Sequence, residues 1–273
     1  MNIIEAQGAR IPILGLGTMR MKEETCVRIV AEALRLGYRH LDTAERYENE
    51  VWVGEGLRAS GIKREEVFLT TKVYGPNLAA ADFERAVEAS LQRLQLRSVD
   101  LLLIHWPNPA VPLAETITAL NQVKRRGLTK QIGLANFTSA LIDEAVKFSG
   151  EKLVTNQIEV HPFLDQSKVL AKCRQHGLSV TAYCPIARGR VPGNEVLERI
   201  GKQHGKTAAQ VALRWLVQQG IIVIPGTSKA ERLKENMAIF DFALSDPEMA
   251  EVGTLKRPDG RVVNPPHAPK WDN

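Results

Sequence analysis

The stretch Val99-Asp100-Leu101-Leu102-Leu103-Ile104-His105 contains a short apolar run that ends in an ionisable residue. Such runs are typical of buried strands, and the segment 113–126 that follows is predicted to be a helix. The same pattern occurs twice upstream, where Asp42 and Lys72 end the runs. Three successive strands that each end in an ionisable group indicate that these ends face a shared site.

Strand-like and helix-like segments alternate along the chain and make eight strand–helix units. The predicted strands are 13–17, 40–42, 67–72, 99–105, 130–136, 153–159, 178–183 and 221–224. The predicted helices are 22–36, 50–59, 79–94, 113–126, 139–148, 167–176, 195–204, 208–218 and 229–240, with one more that begins at Ser245. Eight such units can close into a (β/α)8 TIM barrel, whose active site lies at the carboxyl ends of the strands.

An open, doubly wound α/β sheet is the alternative fold. It would normally carry a glycine-rich phosphate-binding fingerprint after its first strand. The segment Gly15-Leu16-Gly17-Thr18-Met19-Arg20 starts like that fingerprint, but Arg20 stands where the third glycine belongs. We therefore predict the α/β TIM barrel with extra helices, as one domain over residues 1–273. An irregular tail is predicted from Arg257 onward, and it could fold over one mouth of the barrel.

The composition indicates an ordinary globular protein with a small-molecule partner. The chain has 273 residues, 44% of them hydrophobic, and a net charge of +5, with lysine and arginine scattered among acids. Without a basic run, no nucleic-acid partner is expected. The three cysteines are odd in number and form no Cys-x-x-Cys pair, which favours the cytoplasm. No stretch approaches the ~18 apolar residues of a membrane span, so no membrane association is expected.

The strand ends bring together residues that suit acid catalysis. In a barrel, Asp42, Lys72 and His105 end strands two to four on one face, and Tyr47 follows in the loop after strand two. A free tyrosine has a pKa of about 10, too high for efficient proton transfer near neutrality. A neighbouring ammonium lowers this pKa, so Lys72 could tune Tyr47 while Asp42 keeps the ammonium charged. With His105 orienting a carbonyl oxygen, the group suits general-acid catalysis on a carbonyl.

Each of these side chains alone is more often structural, and only their shared placement favours catalysis. No nucleophile motif is found, and no histidines stand at metal-ligand spacing, so no metal is predicted. Reduction of a carbonyl also needs a hydride carrier. Asn136, Gln157 and Tyr183, at the ends of strands five to seven, could hydrogen-bond and stack a nicotinamide.

Several motifs resemble signatures of the aldo-keto reductase family. The first is Gly37-Tyr38-Arg39-His40-Leu41-Asp42-Thr43-Ala44, with Tyr47, Asn49-Glu50 and Gly54 after it. The others are, in order, Thr70-Thr71-Lys72, Ile104-His105-Trp106-Pro107, Ile132-Gly133-Leu134-Ala135-Asn136-Phe137, Asn156-Gln157-Ile158-Glu159 and 224–236. The resemblance covers essentially the whole chain. Within the family it looks closest to the bacterial branch linked to 2,5-diketo-D-gluconate and methylglyoxal.

The resemblance implies NADPH-dependent reduction of small aldehydes or ketones, with Tyr47 as proton donor, Lys72 and Asp42 as its tuning pair, and His105 orienting the carbonyl. It implies a set of cofactor contacts: Thr18, Asn136, Gln157, Tyr183, Pro185, Ile186, Arg188, Thr227, Ser228, Lys229, Arg232, Glu235 and Asn236. The loop 185–190 would cover the pyrophosphate, and residues 227–232 would meet the 2′-phosphate. The implied substrate mouth is lined by Met19, Tyr74, Trp106 and Trp271.

The chain departs from the family pattern at positions that bear on the cofactor. Ala135 and Cys184 stand where serine is frequent. Gly226 stands where a basic residue is usual, which bears on the choice between NADPH and NADH. Because Lys229 and Arg232 remain as cations, NADPH is predicted.

Two other functions stay open from the sequence. One is an NADP(H)-binding regulatory or redox-sensing subunit with little turnover, and the other is an unrelated barrel hydrolase or isomerase. The resemblance also implies a monomer.

Overall fold

Ten strands, ten α-helices and four short 3-10 helices make up the secondary structure over residues 2–272, which the computed structural model describes. The strands are β1 (Ile3–Ala6), β2 (Ala9–Pro12), β3 (Leu16–Gly17), β4 (His40–Asp42), β5 (Phe68–Val73), β6 (Val99–Ile104), β7 (Thr129–Ala135), β8 (Leu153–Glu159), β9 (Ser179–Tyr183) and β10 (Ile222–Val223). The helices are α1 (Glu23–Arg35), α2 (Glu50–Ser60), α3 (Ala80–Leu94), α4 (Leu113–Arg125), α5 (Ser139–Phe148), α6 (Ser167–Gln175), α7 (Glu195–His204), α8 (Ala208–Gln218), α9 (Ala230–Met237) and α10 (Asp246–Gly253).

Strands β3 to β10 form one parallel sheet in sequence order. The sheet closes on itself, because the backbone N–H of Gly15 donates to Val223 and that of Val223 donates to Ile13, each at 2.8 Å. Gly17 makes a further bridge to Gly226. A Cβ on Gly17 would lie 2.6 Å from the carbonyl oxygen of Ile224, so only glycine allows the first and last strands to approach here. The predicted (β/α)8 barrel is confirmed, and the alternative of an open doubly wound sheet is excluded.

Most predicted elements agree with the observed ones to within one or two residues, and the apolar runs explain why. Strand β6 is buried along its whole length, as a strand between the barrel interior and the helices must be. Helix α8 begins with the predicted capping box, in which Thr207 accepts from the backbone of Gln210 and the Gln210 side chain accepts in return. The last strand is shorter than predicted, and α9 ends at Met237 rather than at residue 240.

An antiparallel hairpin precedes the barrel and was not predicted. Strands β1 and β2 pair through a two-residue turn in which Gln7 and Gly8 both have positive φ, 51° and 89°. Such turns match the twist of paired strands. The carbonyl of Pro12 lies 3.1 Å from Nδ1 of His40 at the start of β4. The hairpin therefore covers the amino-terminal end of the barrel, opposite the predicted site.

The tail from Arg257 lies over the carboxyl end of the barrel, as the sequence suggested. The backbone of Arg257 donates to Phe163 in the loop after β8, and those of Val262 and Val263 donate to Glu159, the last residue of β8. Within residues 2–272, no helix has both the length and the apolar character needed to cross a membrane.

Close packing of α2 against the end of α3 depends on Gly54, which gives a test of the fold. A Cβ at this position would lie 2.4 Å from the carbonyl oxygen of Leu94. Gly54→Ala is therefore expected to destabilise the protein by about 1–3 kcal/mol, a typical cost of overpacking, seen as a lower Tm. In the control Gly253→Ala the new Cβ meets nothing within 4 Å, so Tm should stay the same or rise. Equal melting temperatures for the two variants would contradict the close approach.

Candidate active site

The four residues singled out from the strand ends come together at the carboxyl end of the barrel. The ammonium of Lys72 donates to Oδ1 of Asp42 at 2.6 Å, to the carbonyl of Thr43 at 2.8 Å and to the hydroxyl of Tyr47 at 3.3 Å. The rings of Tyr47 and His105 meet edge to face with centroids 5.6 Å apart. The arrangement has a buried ion pair at its base and a half-buried phenol above it.

A short 3-10 turn, 45–47, carries Tyr47 to this position. Asn49 holds the turn, because its buried side chain accepts from Thr43 and donates to the backbone carbonyls of Thr18 and Met21. The loops after β3 and β4 are thus tied together. Next along the chain, Glu50 is buried and accepts from Thr71 on β5.

Burial and charge act in opposite directions on the two acidic protons of the site. Burial raises the pKa of Tyr47 above its ordinary value, and the Lys72 ammonium pulls it down by less. The sequence-based expectation of a lowered tyrosine pKa was therefore wrong in the net direction, because burial disfavours the phenolate more than Lys72 favours it. Burial acts to lower the pKa of Lys72, but Asp42 and Tyr47 outweigh it and the pKa is raised. Both groups are protonated at neutral pH.

His105 directly follows β6 and is neutral at pH 7. Burial lowers its pKa well below the ordinary value, and the nearby basic side chains of Lys72, Arg46 and His267 lower it further. Its Nδ1 is buried and has no hydrogen-bond partner within residues 2–272.

The three residues proposed to meet a nicotinamide join the same network. Gln157 donates to Oδ2 of Asp42 at 2.7 Å, so both carboxylate oxygens of Asp42 are occupied. Asn136 donates to the backbone carbonyl of His105 at 2.8 Å and accepts from the Tyr183 hydroxyl at 2.7 Å. The backbone of Asn136 is left-handed, with φ of 64°. These residues form one layer around Asp42, Tyr47, Lys72 and His105, which we call the tetrad.

The other predicted cofactor residues form three groups. Thr18 is buried and donates to the backbone of Asp42. The loop after β9 includes Pro185, Ile186 and Arg188, and Arg188 is exposed with a left-handed backbone. The third group lies around the start of α9: Thr227, Ser228, Lys229, Arg232, Glu235 and Asn236.

Within that third group, some side chains are engaged in hydrogen bonds or buried, and others are exposed to solvent. The Thr227 hydroxyl accepts from the backbone of Lys229 at 3.0 Å. The Glu235 carboxylate accepts from Thr207, and Asn236 is buried. The cations Lys229 and Arg232 are exposed.

Aromatic side chains surround the mouth above the tetrad. Trp106 and Trp271 have ring centroids 6.0 Å apart, and Tyr74 lies against His105 at the same distance. The remaining predicted mouth residue, Met19, is exposed. Three of the four predicted mouth residues therefore belong to one aromatic cluster, and the fourth, Met19, does not.

Two mouth residues were missed from the sequence, Arg46 and His267. The guanidinium of Arg46 lies 4.3 Å from the centroid of the Tyr74 ring. The His267 ring meets Trp106 at 5.3 Å and Tyr74 at 6.0 Å between centroids. Arg46 directly precedes Tyr47, so its place near the mouth could have been predicted from the sequence. His267 lies in an irregular tail, whose sequence contains no pattern that would place it there.

A buried carboxylate anchors the tail that carries His267 and Trp271. Oε1 of Glu159 accepts from the backbone of Val262 at 2.6 Å and lies 2.8 Å from Nε2 of His161, and Oε2 accepts from Val263 at 2.8 Å. At the end of the tail, Asp272 accepts from the first backbone N–H of α5. The mouth above Tyr47 is thus completed by a segment that is held near both of its ends.

Residues 13–257 match the Aldo/keto reductase family. The chain is 42% identical over 266 residues to the methylglyoxal reductase DkgB of Yersinia pestis, covering 96% of this chain and 99% of the relative. It is 38% identical over 259 residues to the glyoxal reductase of Bacillus subtilis, covering 94% of each.

Solved structures agree with these sequence matches. One named for a 2,5-diketo-D-gluconic acid reductase B is 51% identical, with a TM-score of 0.98 over 100% of this chain and 98% of that one. A Bombyx mori aldo-keto reductase in complex with NADP is 32% identical, with a TM-score of 0.87 over 93% and 92% of the two chains. The chain therefore belongs to the aldo/keto reductase family. It is an oxidoreductase that acts on carbonyl groups, and NADP dependence is typical of the family.

The tail anchor can be tested by Glu159→Gln. An amide cannot accept on both of its heavy atoms, so one backbone N–H or His161 would face an NH2 group. Loss of one such bond to a charged acceptor is worth about 1.5–3 kcal/mol. Hydrogen exchange at Val262 and Val263, measured by mass spectrometry, is expected to accelerate at least about tenfold. Asp259→Asn, an exposed acid in the same tail, is the control, and unchanged exchange in Glu159→Gln would refute the anchor.

Proposed function

We propose that this protein reduces small aldehydes and ketones to alcohols with NADPH, and that Tyr47 donates the proton. The observation that carries the proposal is the contact of the Tyr47 hydroxyl with the buried ammonium of Lys72, itself paired with Asp42. A phenol in contact with a fixed ammonium is an acid whose conjugate base is stabilised where it forms.

Tyr47 begins the reaction protonated, because burial keeps its pKa above the ordinary value. When the proton moves to a substrate oxygen, negative charge develops on the phenolic oxygen beside Lys72. The ammonium then stabilises this charge without reorganising, since Asp42 and the Thr43 carbonyl already hold it in place. Proton transfer by a positioned side chain of this kind contributes about 10²- to 10⁴-fold to a rate.

His105 is suited to orient the carbonyl. Because Nδ1 is buried and has no acceptor among residues 2–272, we expect the proton of the neutral ring to sit on Nε2. A neutral N–H donor polarises a carbonyl oxygen without competing with Tyr47 for the role of acid. The edge-to-face contact of the two rings supports a joint role of both side chains at the carbonyl.

The residues at the ends of β7 to β9 fit a nicotinamide. When bound, NADPH supplies the hydride. The Gln157 side chain is buried, and its amide oxygen accepts no hydrogen bond from residues 2–272. A carboxamide offers two N–H donors and one acceptor, which suits Gln157 and Asn136 together. The half-buried ring of Tyr183 offers a flat surface beside them, held by its bond to Asn136.

The cofactor's 2′-phosphate is assigned to Lys229 and Arg232. Both are exposed at the start of α9, and no carboxylate of residues 2–272 lies within 4.0 Å of either. These cations stand in for the basic residue that Gly226 lacks, which favours NADPH over NADH. Glu235 and Asn236 lie on the same helix and are proposed to meet the adenine, with Thr227 and Ser228 beside the phosphate.

Methylglyoxal and 2,5-diketo-D-gluconate are the proposed substrates, because the relatives named above carry these activities in their names. Met19, Tyr74, Trp106 and Trp271 are proposed to contact them. A cytoplasmic location, a monomeric state and a single domain remain predictions from the sequence.

Removal of the Tyr47 hydroxyl tests the proton donor. Tyr47→Phe is expected to lower kcat for methylglyoxal by about 10²- to 10⁴-fold, while the Kd for NADPH, from fluorescence titration, changes little. Ser179→Ala is the control, since it removes a buried hydroxyl that donates to Val154 at the start of β9, the opposite end of the barrel; it should lower Tm and leave kcat unchanged. A Tyr47→Phe enzyme that retains more than about a tenth of kcat would contradict the assignment.

Charge removal at the start of α9 tests the cofactor preference. The double variant with Lys229→Ala and Arg232→Ala is expected to raise the Kd for NADPH by about tenfold or more, as loss of charge-assisted bonds predicts, and to leave the Kd for NADH unchanged. Lys234→Ala, an exposed lysine on the same helix, serves as control. Equal losses for the two cofactors would place the 2′-phosphate elsewhere.

A further inference from the structure

Arg46 is a cation at the substrate mouth with no acidic partner. It is exposed, and no carboxylate within residues 2–272 lies within 4.0 Å of its guanidinium. The neighbouring acids are committed elsewhere. Glu45 accepts from the backbone of Tyr74 and from Asn77, and Glu48 pairs with Lys22 at 3.5 Å. The positive charge of Arg46 is therefore not balanced by a carboxylate within residues 2–272, although two acids lie near it in the sequence.

Tyr74 holds the guanidinium at the mouth. The guanidinium carbon lies 4.3 Å from the centroid of the Tyr74 ring, and one of its nitrogens donates to the Tyr74 hydroxyl. The guanidinium has five N–H donors, so others remain to meet a ligand. A guanidinium held in this way loses less side-chain entropy when it binds a planar anion.

The position of Arg46 relates it to the reacting centre. Tyr74 separates it from His105 by one ring, and His105 meets Tyr47. On the outer side, Tyr74 also meets His267. The charge of Arg46 reaches both histidines, since it contributes to lowering the pKa of His105 and of His267 after burial, the larger cause in each.

We infer that Arg46 is a specificity-determining residue that binds the carboxylate of an anionic carbonyl substrate, while the carbonyl of that substrate meets Tyr47 and His105. The inference rests on the proposed function and names its preferred substrate class: aldehydes and ketones that carry a carboxylate separated from the reacting carbon. The planar fork of a guanidinium matches a carboxylate in two parallel hydrogen bonds. Arg46 plays no part in the proton transfer and acts on substrate binding.

Three other basic groups near the mouth are less suited to this role than Arg46. Lys72 is fully buried and engaged by Asp42 and Tyr47. Arg261 lies 3.8 Å from the ring centroid of Trp271 and is partly buried near Glu159. His267 is exposed, and its lowered pKa leaves it neutral at pH 7.

Matched pairs of aldehydes test the inference. One pair is 4-carboxybenzaldehyde and 4-formylbenzamide, which have the same shape and differ in charge, and a shorter pair is succinic semialdehyde and butanal. The enzyme is expected to show a kcat/KM about tenfold higher for the anion in at least one pair, a modest value for a partly exposed charge-assisted contact. The preference should decline as salt is added.

Variants at Arg46 separate binding of the anion from support of Tyr74. Arg46→Gln is expected to remove the preference by raising KM for the anionic aldehyde. KM for the neutral aldehyde should change by less than about threefold, because only a charge-dependent contact is lost. Arg46→Lys should retain part of the preference. The control is Arg85→Gln, which alters an exposed arginine on α3 and should change KM for neither substrate.

The outcomes distinguish this inference from the proposed function. If no aldehyde of either pair is reduced with NADPH, the proposed function fails. If the neutral aldehydes are reduced and neither anion is preferred, the proposed function stands and the inference is overturned. Equal losses for both members of a pair in Arg46→Gln would also overturn it, because they would show that Arg46 only supports Tyr74.

Discussion

The buried ion pair of Lys72 and Asp42 is the interaction on which the site depends. Their nitrogen and oxygen lie 2.6 Å apart, and neither side chain is more than 2% exposed. Removal of one partner from such a pair costs about 3–5 kcal/mol, because the other charge is left buried and alone. The pair survives because neighbouring strands β4 and β5 present both residues at the same end of the barrel and because Gln157 occupies the second oxygen of Asp42.

From this base the site extends outward in layers of decreasing burial. The ammonium holds a phenol, the phenol meets an imidazole, and that imidazole meets the aromatic rim of Tyr74 and the residues around it. Charge is neutralised at the bottom and left unneutralised at the top, where Arg46 lies. In the proposals made above, acid chemistry and substrate choice therefore depend on different charges, one buried and one exposed, which are connected through the rings of Tyr47, His105 and Tyr74.

The strands and the residues at their ends could be predicted because they follow local rules. A run such as Leu101 to Ile104 has to be buried, and parallel strands bring their carboxyl ends to one side. The N-terminal hairpin was missed because its strands are short and only the pair Gln7 and Gly8 marks the turn. His267 and the hold of Glu159 on the tail depend on contacts distant in sequence, which no local pattern records. The net pKa of Tyr47 required the balance of burial against charge, and only three-dimensional packing supplies that balance.

The two parts of the site belong to different kinds of structure. The tetrad stands on strands and on a turn tied down by Asn49, whereas the mouth is completed by a tail of irregular backbone attached at Glu159 and Asp272. We therefore expect substitutions in that tail to change the space above Tyr47 without disturbing the barrel core. The substrate range of such an enzyme can therefore evolve through changes in the tail while the residues on the barrel strands stay the same.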